Sequence, residues 1–457
     1  MILNMPFLEF FVSCAYFISS MLFLFGLKQM ASPKTASQGF SLAGIGMLLA
    51  TGATILVSPH NTMLMILALT SASLIAWYSG KKVAMTAMPQ MVALYNGMGG
   101  GAAAAIALLE LMKHTQTSTH SAIAFAGGLI GAISFTGSIV AFAKLQGLLT
   151  RTIRLPLHHT ISLLVLLLSV ATAIFTMQQY SISLIFLFFI SALLLGILIT
   201  IPVGGADMPV IISLFNGFTG LAVGLEGLVL GNPAMIIAGT VVGASGTLLT
   251  QLMAKAMNRS ILQVLFSSFG NSESTSDTLL TLRTAESEDI AVQLAYAQKV
   301  IIIPGYGLAV AQAQQKVAEL TTLLRKKDIT ILFAIHPVAG RMPGHMNVLL
   351  AEAGIDYDLI KDMDEINPEF ASCDVAIVVG ANDVINPSAR NDKNSPLYGM
   401  PILDVDAAKQ IVVIKRGSGK GFSGVENPLF GLPNCSMLYG DAQAVLATLL
   451  ANVKQVD

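Results

Sequence analysis

Val300-Ile301-Ile302-Ile303-Pro304-Gly305-Tyr306-Gly307-Leu308-Ala309-Val310 is the stretch around which the chain is organised. An apolar run of strand type breaks into a Gly-x-Gly turn and passes into Ala309-Val310-Ala311-Gln312-Ala313-Gln314-Gln315-Lys316, a helical pattern. Strand, glycine turn and helix in that order make a grip for a dinucleotide. The glycines let backbone N–H groups approach a pyrophosphate at a helix N-terminus, where unpaired donors and the helix dipole favour an anion. Val310 stands in place of a third glycine, so the support comes from the strand before, the helix after, and an upstream half that reads as membrane.

Downstream of this turn, strands alternate with helices. Ile329-Thr330-Ile331-Leu332-Phe333-Ala334-Ile335 reads as a second strand and residues 346–353 as a helix. Strands follow at 374–379 and 410–414, and a closing helix begins after Asp441. The alternation predicts a doubly wound parallel sheet, a Rossmann-like α/β domain with ligand contacts on the loops leaving the strand C-termini. An NAD site offers an acid at the end of the second strand. Here that place holds His336-Pro337-Val338-Ala339-Gly340-Arg341 and no acid. Another strand ends in Gly380-Ala381-Asn382-Asp383, and the next in Lys415-Arg416-Gly417-Ser418-Gly419-Lys420-Gly421. Two adjacent cations with a glycine-rich backbone suit a 2′-phosphate, so the cofactor read from these loops is NADP; a solvated strand end is the plain alternative for Lys415-Arg416 taken alone.

The rest of the chain has a different solvent. Of 457 residues, 54% are hydrophobic and 11% charged, with a mean hydropathy of +0.72, far from the roughly 25% charged content of ordinary globular chains. Residues 1–270 hold only four acids, Glu9, Glu110, Asp207 and Glu226. Apolar runs long enough to cross a hydrocarbon core of about 30 Å fall near 6–27, 38–57, 62–80, 84–112, 121–143, 159–178, 181–200, 208–230 and 233–256. These predict nine transmembrane helices. Lys28, Lys34, Lys81, Lys82, Lys144, Arg151, Arg154, Lys255 and Arg259 fall on one side and Lys113 on the other. The positive-inside rule then puts the N-terminus outside and the α/β domain in the cytoplasm. The N-terminal run is too long for a signal-peptide core and reads as a true span. Three cysteines, Cys14, Cys373 and Cys435, have neither disulfide-framework nor metal-type spacing. The expected domains are 1–260 in the membrane, a Ser/Thr-rich linker over 261–285, and 286–457 as the nucleotide domain.

A repeat lies inside the membrane half. Residues 88–100, Met88-Pro89 through Asn96-Gly97 to Gly100, line up with 208–220, Met208-Pro209 through Asn216-Gly217 to Gly220, with six identities. Ala126-Gly127-Gly128-Leu129-Ile130-Gly131-Ala132 likewise echoes Ala238-Gly239-Thr240-Val241-Val242-Gly243-Ala244. Repeats of this kind occur in transporters whose site lies between the copies. Asn96 and Asn216 each lie seven residues into their helix, about 10 Å at 1.5 Å per residue, inside the hydrocarbon zone. Two readings are open for them: helix–helix glue beside glycines that permit close packing, or a proton path along water. Asp207, just before Met208-Pro209, suits a helix N-cap, with a proton-exit role as the alternative. Glu226 lies further out on that helix, Glu9 and Glu110 lie near helix ends where long side chains snorkel, and His60 sits in an outer loop.

Taken together, these residues resemble one family, the beta subunit of the proton-translocating NAD(P) transhydrogenase, over the whole chain. The motifs that carry the resemblance are residues 305–314, His336 to Asn347, Gly380-Ala381-Asn382-Asp383 and Asn427-Pro428-Leu429-Phe430 in the nucleotide domain. In the membrane half they are Gly204-Gly205-Ala206-Asp207-Met208-Pro209 and Ala256-Met257-Asn258-Arg259-Ser260. The resemblance implies hydride transfer between NAD(H), held on a partner alpha subunit, and NADP(H) on this chain, coupled to proton entry into the cytoplasm. It also implies a dimer of alpha–beta units in a bacterial inner membrane, with no nucleic-acid partner and no metal. The NADP(H) contacts it implies are Gly305, Tyr306, Gly307, Ala309 and Val310 in the first loop, and Val338, Ala339, Gly340, Arg341, Met342 and Pro343 in the second. Gly380, Ala381, Asn382, Asp383 and Val384 follow, then Lys415, Arg416, Gly417, Ser418, Gly419, Lys420, Gly421 and Phe422, and last Asp441 and Ala442. Asn96 departs from the family by standing where many members carry a histidine assigned to proton conduction. Gly417 stands in place of a serine and Phe422 in place of a lid tyrosine. Asp383 is expected to sense proton occupancy, hydrogen-bonding to the cofactor being its rival role, and Asn96, Asn216 and Asp207 are the expected membrane site.

Two rivals come from other classes. One is a transporter or channel regulated by its nucleotide domain. The other is a membrane-tethered NADP dehydrogenase with its own substrate, which calls for a catalytic His, Tyr-Lys or metal constellation that the sequence does not offer.

Overall fold

A computed structural model describes residues 5–32, 35–57, 61–84, 87–113, 118–149, 157–204, 207–258, 260–266, 282–340, 344–393, 395, 397–417, 419, 421 and 423–456, with side chains from residue 8. The chain divides into two compact units, Met1–Val203 with Ile211–Thr250, and Gly204–Val210 with Gln251–Asp457.

Nine helices among the described residues are long and apolar enough to cross a membrane. They are α1 (Met5–Met30), α2 (Ala36–Val57), α3 (Thr62–Lys82), α4 (Met88–Met112), α5 (Ser118–Leu145), α6 (His158–Gln178), α7 (Ile182–Thr200), α8 (Met208–Leu230) and α9 (Pro233–Ala256). Each agrees with its predicted span to within a few residues. Helices are the expected form here, because in lipid every backbone polar group must be paired within the chain. The turn between α8 and α9 is set locally. Gly231 takes the left-handed conformation (φ +63°), and the Asn232 side chain accepts hydrogen bonds from the N–H groups of Ala234 (3.1 Å) and Met235 (3.2 Å) to start α9.

In the first unit α5 is the central helix, the most buried of the nine. Small residues on several of its faces let neighbours approach, as expected where packing rather than the hydrophobic effect holds helices together. Gly131 of α5 faces Gly100 of α4 closely enough that a Cβ there would stand 2.7 Å from the Gly100 carbonyl oxygen. Gly128 lies against Phe189 of α7, and Gly137 against the ring of Phe215 of α8. The α8–α9 seam uses the same device, with Gly217, Gly220 and Gly224 set against Gly246, Gly243 and Gly239.

The second unit contains a six-stranded, wholly parallel sheet in the order β3-β2-β1-β4-β5-β6. Its strands are β1 (Lys299–Pro304), β2 (Thr330–Ile335), β3 (Ile360–Asp362), β4 (Val375–Val379), β5 (Gln410–Lys415) and β6 (Cys435–Tyr439). β1, β4 and β5 are apolar runs because helices cover both faces of such a sheet; Ile301, Phe370, Val378 and Val413 are among the fully enclosed residues of the core. The helices are α10 (Ile261–Phe266), α11 (Ser287–Ala295), α12 (Tyr306–Val310), α13 (Gln314–Lys326), α14 (His345–Glu352), α15 (Met363–Ile366), α16 (Ser388–Asn391) and α17 (Ala442–Gln455). Strand order reverses between β1 and β4, which makes their C-terminal ends the topological switch point, where open α/β sheets take ligands.

Three features differ from the sequence reading. The helix expected directly after the glycine turn is split: α12 has five residues, Gln312 is left-handed (φ +51°), and α13 starts beyond it. β3 and β6 are additional strands. Residues at the two ends of the expected linker carry structure, since α10 occupies 261–266 and Thr284 bridges Met437 beside β6; the Ser/Thr tract at 270–277 lies outside the described residues.

Candidate functional site

At the switch point the loops after β1 and β4 interlock. The Gly305 N–H donates to the Val379 carbonyl (2.9 Å), and the Gly307 N–H donates to the Gly380 carbonyl (3.0 Å). A Cβ at Gly307 would stand 2.6 Å from the Gly380 Cα, and one at Gly305 would strike the Ala381 backbone. Gly380 itself needs φ +68°, a conformation that costs a glycine little. Glycine is therefore demanded here by the crossing of two backbones, and in this structure both N–H groups are engaged within the protein rather than directed outward. Tyr306 opens α12 and is half-buried, Ala309 is buried, and Val310 ends the helix at 42% exposure.

The turn after β2 is built around a neutral imidazole. His336 is 2% exposed, and its Nε2 lies 2.8 Å from the Pro401 carbonyl while the Val338 N–H donates to its Nδ1 (3.2 Å). An Nδ1 that accepts leaves Nε2 as the protonated nitrogen. Burial pushes the His336 pKa down to about 4, against a smaller upward effect of the Pro401 hydrogen bond. Ala339 closes the turn on the His336 carbonyl (2.9 Å), and Gly340 (φ +104°) lies against the His345 ring. Arg341, Met342 and Pro343 lie outside the described residues, as do Ser418, Lys420, Phe422, His60, Gly205 and Ala206.

The ends of β4 and β5 are sewn to the segment 421–430. Asp383 accepts from the Ser423 N–H (2.9 Å) and the Ser423 hydroxyl (2.7 Å), and Gly421 packs directly on its carboxylate. The Asn427 amide donates to the carbonyl (3.1 Å) and side-chain oxygen (3.0 Å) of Asn382, while Asn386 donates to the Glu426 carbonyl (3.0 Å). In the same loop Ala381 is buried and Val384 accepts from the Leu403 N–H (2.9 Å). Asp383, expected as a sensor, is in this structure bonded to Ser423. Lys415 is half-buried, with its ammonium 4.7 Å from the Phe430 ring centre. Burial lowers its pKa, opposed by the charge of Asp383. Arg416 donates to Asp441 (2.9 Å), and the other Asp441 oxygen caps α17 through the Gln443 N–H (3.0 Å); Ala442 is the buried first residue of that helix. Around Gly417 and Gly419 a Cβ would meet open space.

In the first unit the structure places Asn96 in a line of small polar groups. Its side-chain amide donates to the Ser138 hydroxyl on α5 (3.1 Å), and its backbone carbonyl accepts from the Thr219 hydroxyl on α8 (3.4 Å). Thr219 and Ser134 share a hydroxyl–hydroxyl bond (2.6 Å), and Ser134 also reaches the Phe215 carbonyl (2.9 Å). Asn216 is half-buried and makes no hydrogen bond to this line among the described residues. Asp207 is buried at 2% exposure in the turn before α8, where its N–H donates to the Gly204 carbonyl (3.2 Å). The hydroxyls of Ser134, Ser138 and Thr219 were not singled out from sequence, because serine and threonine in apolar helices commonly satisfy themselves on their own backbone.

The sequence model of the family described as NAD(P) transhydrogenase beta subunit matches residues 12–452. Two Rhodospirillum rubrum proteins named NAD(P) transhydrogenase subunit beta, one from a designated strain, are each 42% identical over 445 residues, covering 94% of this chain and 96% of theirs. Against that match the rival readings, a nucleotide-regulated transporter and a tethered dehydrogenase, are not favoured. With a switch-point nucleotide domain and nine membrane-length helices in one chain, it belongs to the NAD(P) transhydrogenase beta-subunit family.

Proposed function

We propose that this chain holds NADP(H) on residues 286–457, and that hydride passes between it and NAD(H) on a partner alpha subunit while a proton crosses the bilayer through residues 1–260. The observation that carries the cofactor choice is the Lys415-Arg416 pair at the end of β5, together with a β2 end made of a neutral histidine and no acid. The direction proposed is NADH + NADP+ + H+ outside to NAD+ + NADPH + H+ inside, in a dimer of alpha–beta units. The setting is a bacterial inner membrane, with the N-terminus periplasmic and the nucleotide domain cytoplasmic, as the basic-residue asymmetry favours.

The residues present fit such a cofactor. Open space at Gly417 and Gly419 leaves room for backbone to approach phosphate, and Arg416 is 61% exposed by side chain. The exposed Arg416–Asp441 ion pair is worth at most about 1 kcal/mol, so a 2′-phosphate competes for the guanidinium easily, and Asp441 meanwhile keeps that side chain positioned. NADP(H), when bound, supplies the hydride chemistry itself. The chain's own residues then have three tasks: Lys415 and Arg416 hold charge, the glycine crossing at 305–307 and 380–381 fixes the loop shape, and the Asp383–Ser423 tether holds the strap 421–430 in place.

The test is hydride exchange between NADH and an NADP analogue by the complex of this chain with its alpha subunit. Arg416→Ala should weaken NADP(H) binding by about 1.5–3 kcal/mol, the scale of a hydrogen bond to a charged group, with no change in NAD(H) binding. Equal losses for the two cofactors would remove the 2′-phosphate assignment.

A further inference from the structure

We propose that Glu226 is the proton-relay carboxyl of the membrane bundle, taking a proton from the cavity beside Glu110 and releasing it along the α5–α8 seam toward the Thr219–Ser134 hydroxyls. The inference rests on the proton coupling proposed above. Glu226 lies in the last two turns of an apolar helix, four residues before its end at Leu230, and is fully enclosed, at 0% exposure. Neither carboxyl oxygen has a hydrogen-bond partner among the described residues. An acid kept in a bundle interior without a structural partner is a functional group by default, and glue does not explain it, since glue needs a bond.

Its placement says what it serves. Glu226 is seven residues after Thr219 on α8, which puts the two on the same helical face about 10 Å apart. On α5 the groups that meet them are also seven apart: Ser134 bonds Thr219, and Gly127 lies directly against the Glu226 carboxyl. The α5–α8 seam thus carries an acid at one level and a hydroxyl pair two turns along. From that pair Thr219 bonds the Asn96 backbone carbonyl, and the Asn96 side-chain amide bonds Ser138. Gly127 is what makes room, because any side chain there would collide with the carboxyl.

On the other side of Glu226, Glu110 of α4 lies within electrostatic reach, and Glu110 pairs with the exposed Lys113. Glu110, Ser118, Ser121, Thr176, Gln178 and Tyr180 line a cavity of about 220 Å³, large enough for several waters at about 30 Å³ each. Asn96 and Asn216 are amides and do not change charge. Glu226 can bind and release a proton at one carboxyl oxygen, returning to its starting form after each transfer, with no electron moved.

The experiment uses the complete alpha–beta complex in vesicles, reading proton uptake with an internal pH dye and, separately, hydride exchange that requires no proton crossing. Glu226→Gln keeps the shape and removes the titrating group, so proton uptake should fall roughly a hundredfold while hydride exchange persists. Glu226→Asp should recover part of the uptake. Infrared difference spectra on NADP(H) addition should show a carboxyl C=O band in the native complex that is shifted in Glu226→Asp. Native uptake in Glu226→Gln, absence of that band from the native complex, or joint loss of uptake and exchange in both variants would overturn the relay. Hydride exchange in the native complex with no proton uptake at all would instead sink the proton coupling itself.

Discussion

The two copies of the repeat, α4 with α5 and α8 with α9, share some of their contact glycines and part company in their polar groups. Gly100 meets Gly131 in the first copy and Gly220 meets Gly243 in the second, which are equivalent positions. Gly97 meets Ser138, and Gly217 meets Thr247 one turn away from the equivalent site. The polar bonds differ. Asn96 bonds Ser138, whereas Thr250, the counterpart of Ser138, bonds Ser213 and leaves Asn216 out. Both acids are asymmetric as well: Glu110 aligns with Leu230, and Glu226 with Ile106. What is repeated is the backbone approach, and what is specialised is the chemistry. The repeat alone therefore does not give Asn96 and Asn216 the same bonds.

The largest expected effect breaks the shared part. A Cβ at Gly220 would strike the Gly243 N–H, and one at Gly100 would stand 2.9 Å from the Gly131 carbonyl oxygen. Gly220→Val and Gly100→Val should each destabilise by about 1–3 kcal/mol, the usual cost of overpacking, with the α8 substitution the worse. Thermal unfolding of the detergent-solubilised complex reads this directly. If only one of the two proves costly, the copies do not share a packing rule.

Strong packing signals of this sort are what the sequence displays well. The nine helices and β1, β2, β4 and β5 are long apolar runs, so burial alone marks them. β3 has three residues, Ile360-Lys361-Asp362, none fully buried, and β6 mixes Cys435 and Ser436 with Tyr439; neither offers a period to read. The site divides in the same way. The switch-point glycines were legible as a local motif, but the Asp383–Ser423 tether and the Arg416–Asp441 pair join residues 40 and 25 apart in the chain. No local pattern encodes such pairings. Glu226 was visible as an acid in an apolar helix, yet its enclosure depends on Gly127 of another helix.

The next effect separates the asparagines. Asn96→Leu leaves the Ser138 hydroxyl without its donor, costing about 0.5–1.5 kcal/mol, and should block proton uptake in vesicles while hydride exchange survives. Asn216→Leu should cost less stability and less uptake, because Asn216 stands outside the hydroxyl line. Equal loss of uptake in both would restore the single water file that the repeat suggests. Asn96→His sharpens the same point: a group titrating near neutral pH in contact with Ser138 should make uptake depend on pH more steeply than in the native chain. An unchanged profile would place the proton away from position 96.

The smallest effect concerns the hydroxyls that the copies share by position and not by bonding. Ser138→Ala and Thr250→Ala each remove one interhelical hydrogen bond, and such bonds average about 0.6 kcal/mol inside membranes. Their stability costs should therefore be alike and small. Thr250 keeps its hydroxyl mainly on its own helix, donating to the Gly246 carbonyl at 2.7 Å, with Ser213 at 3.2 Å. Ser138 faces another helix and receives the Asn96 amide. Proton uptake should accordingly drop in Ser138→Ala and stay at the native level in Thr250→Ala, even though the two variants melt together. Matching uptake in the pair would mean that Ser138 is packing like its counterpart, and the line from Thr219 to Asn96 would then have to end before it reaches α5 again.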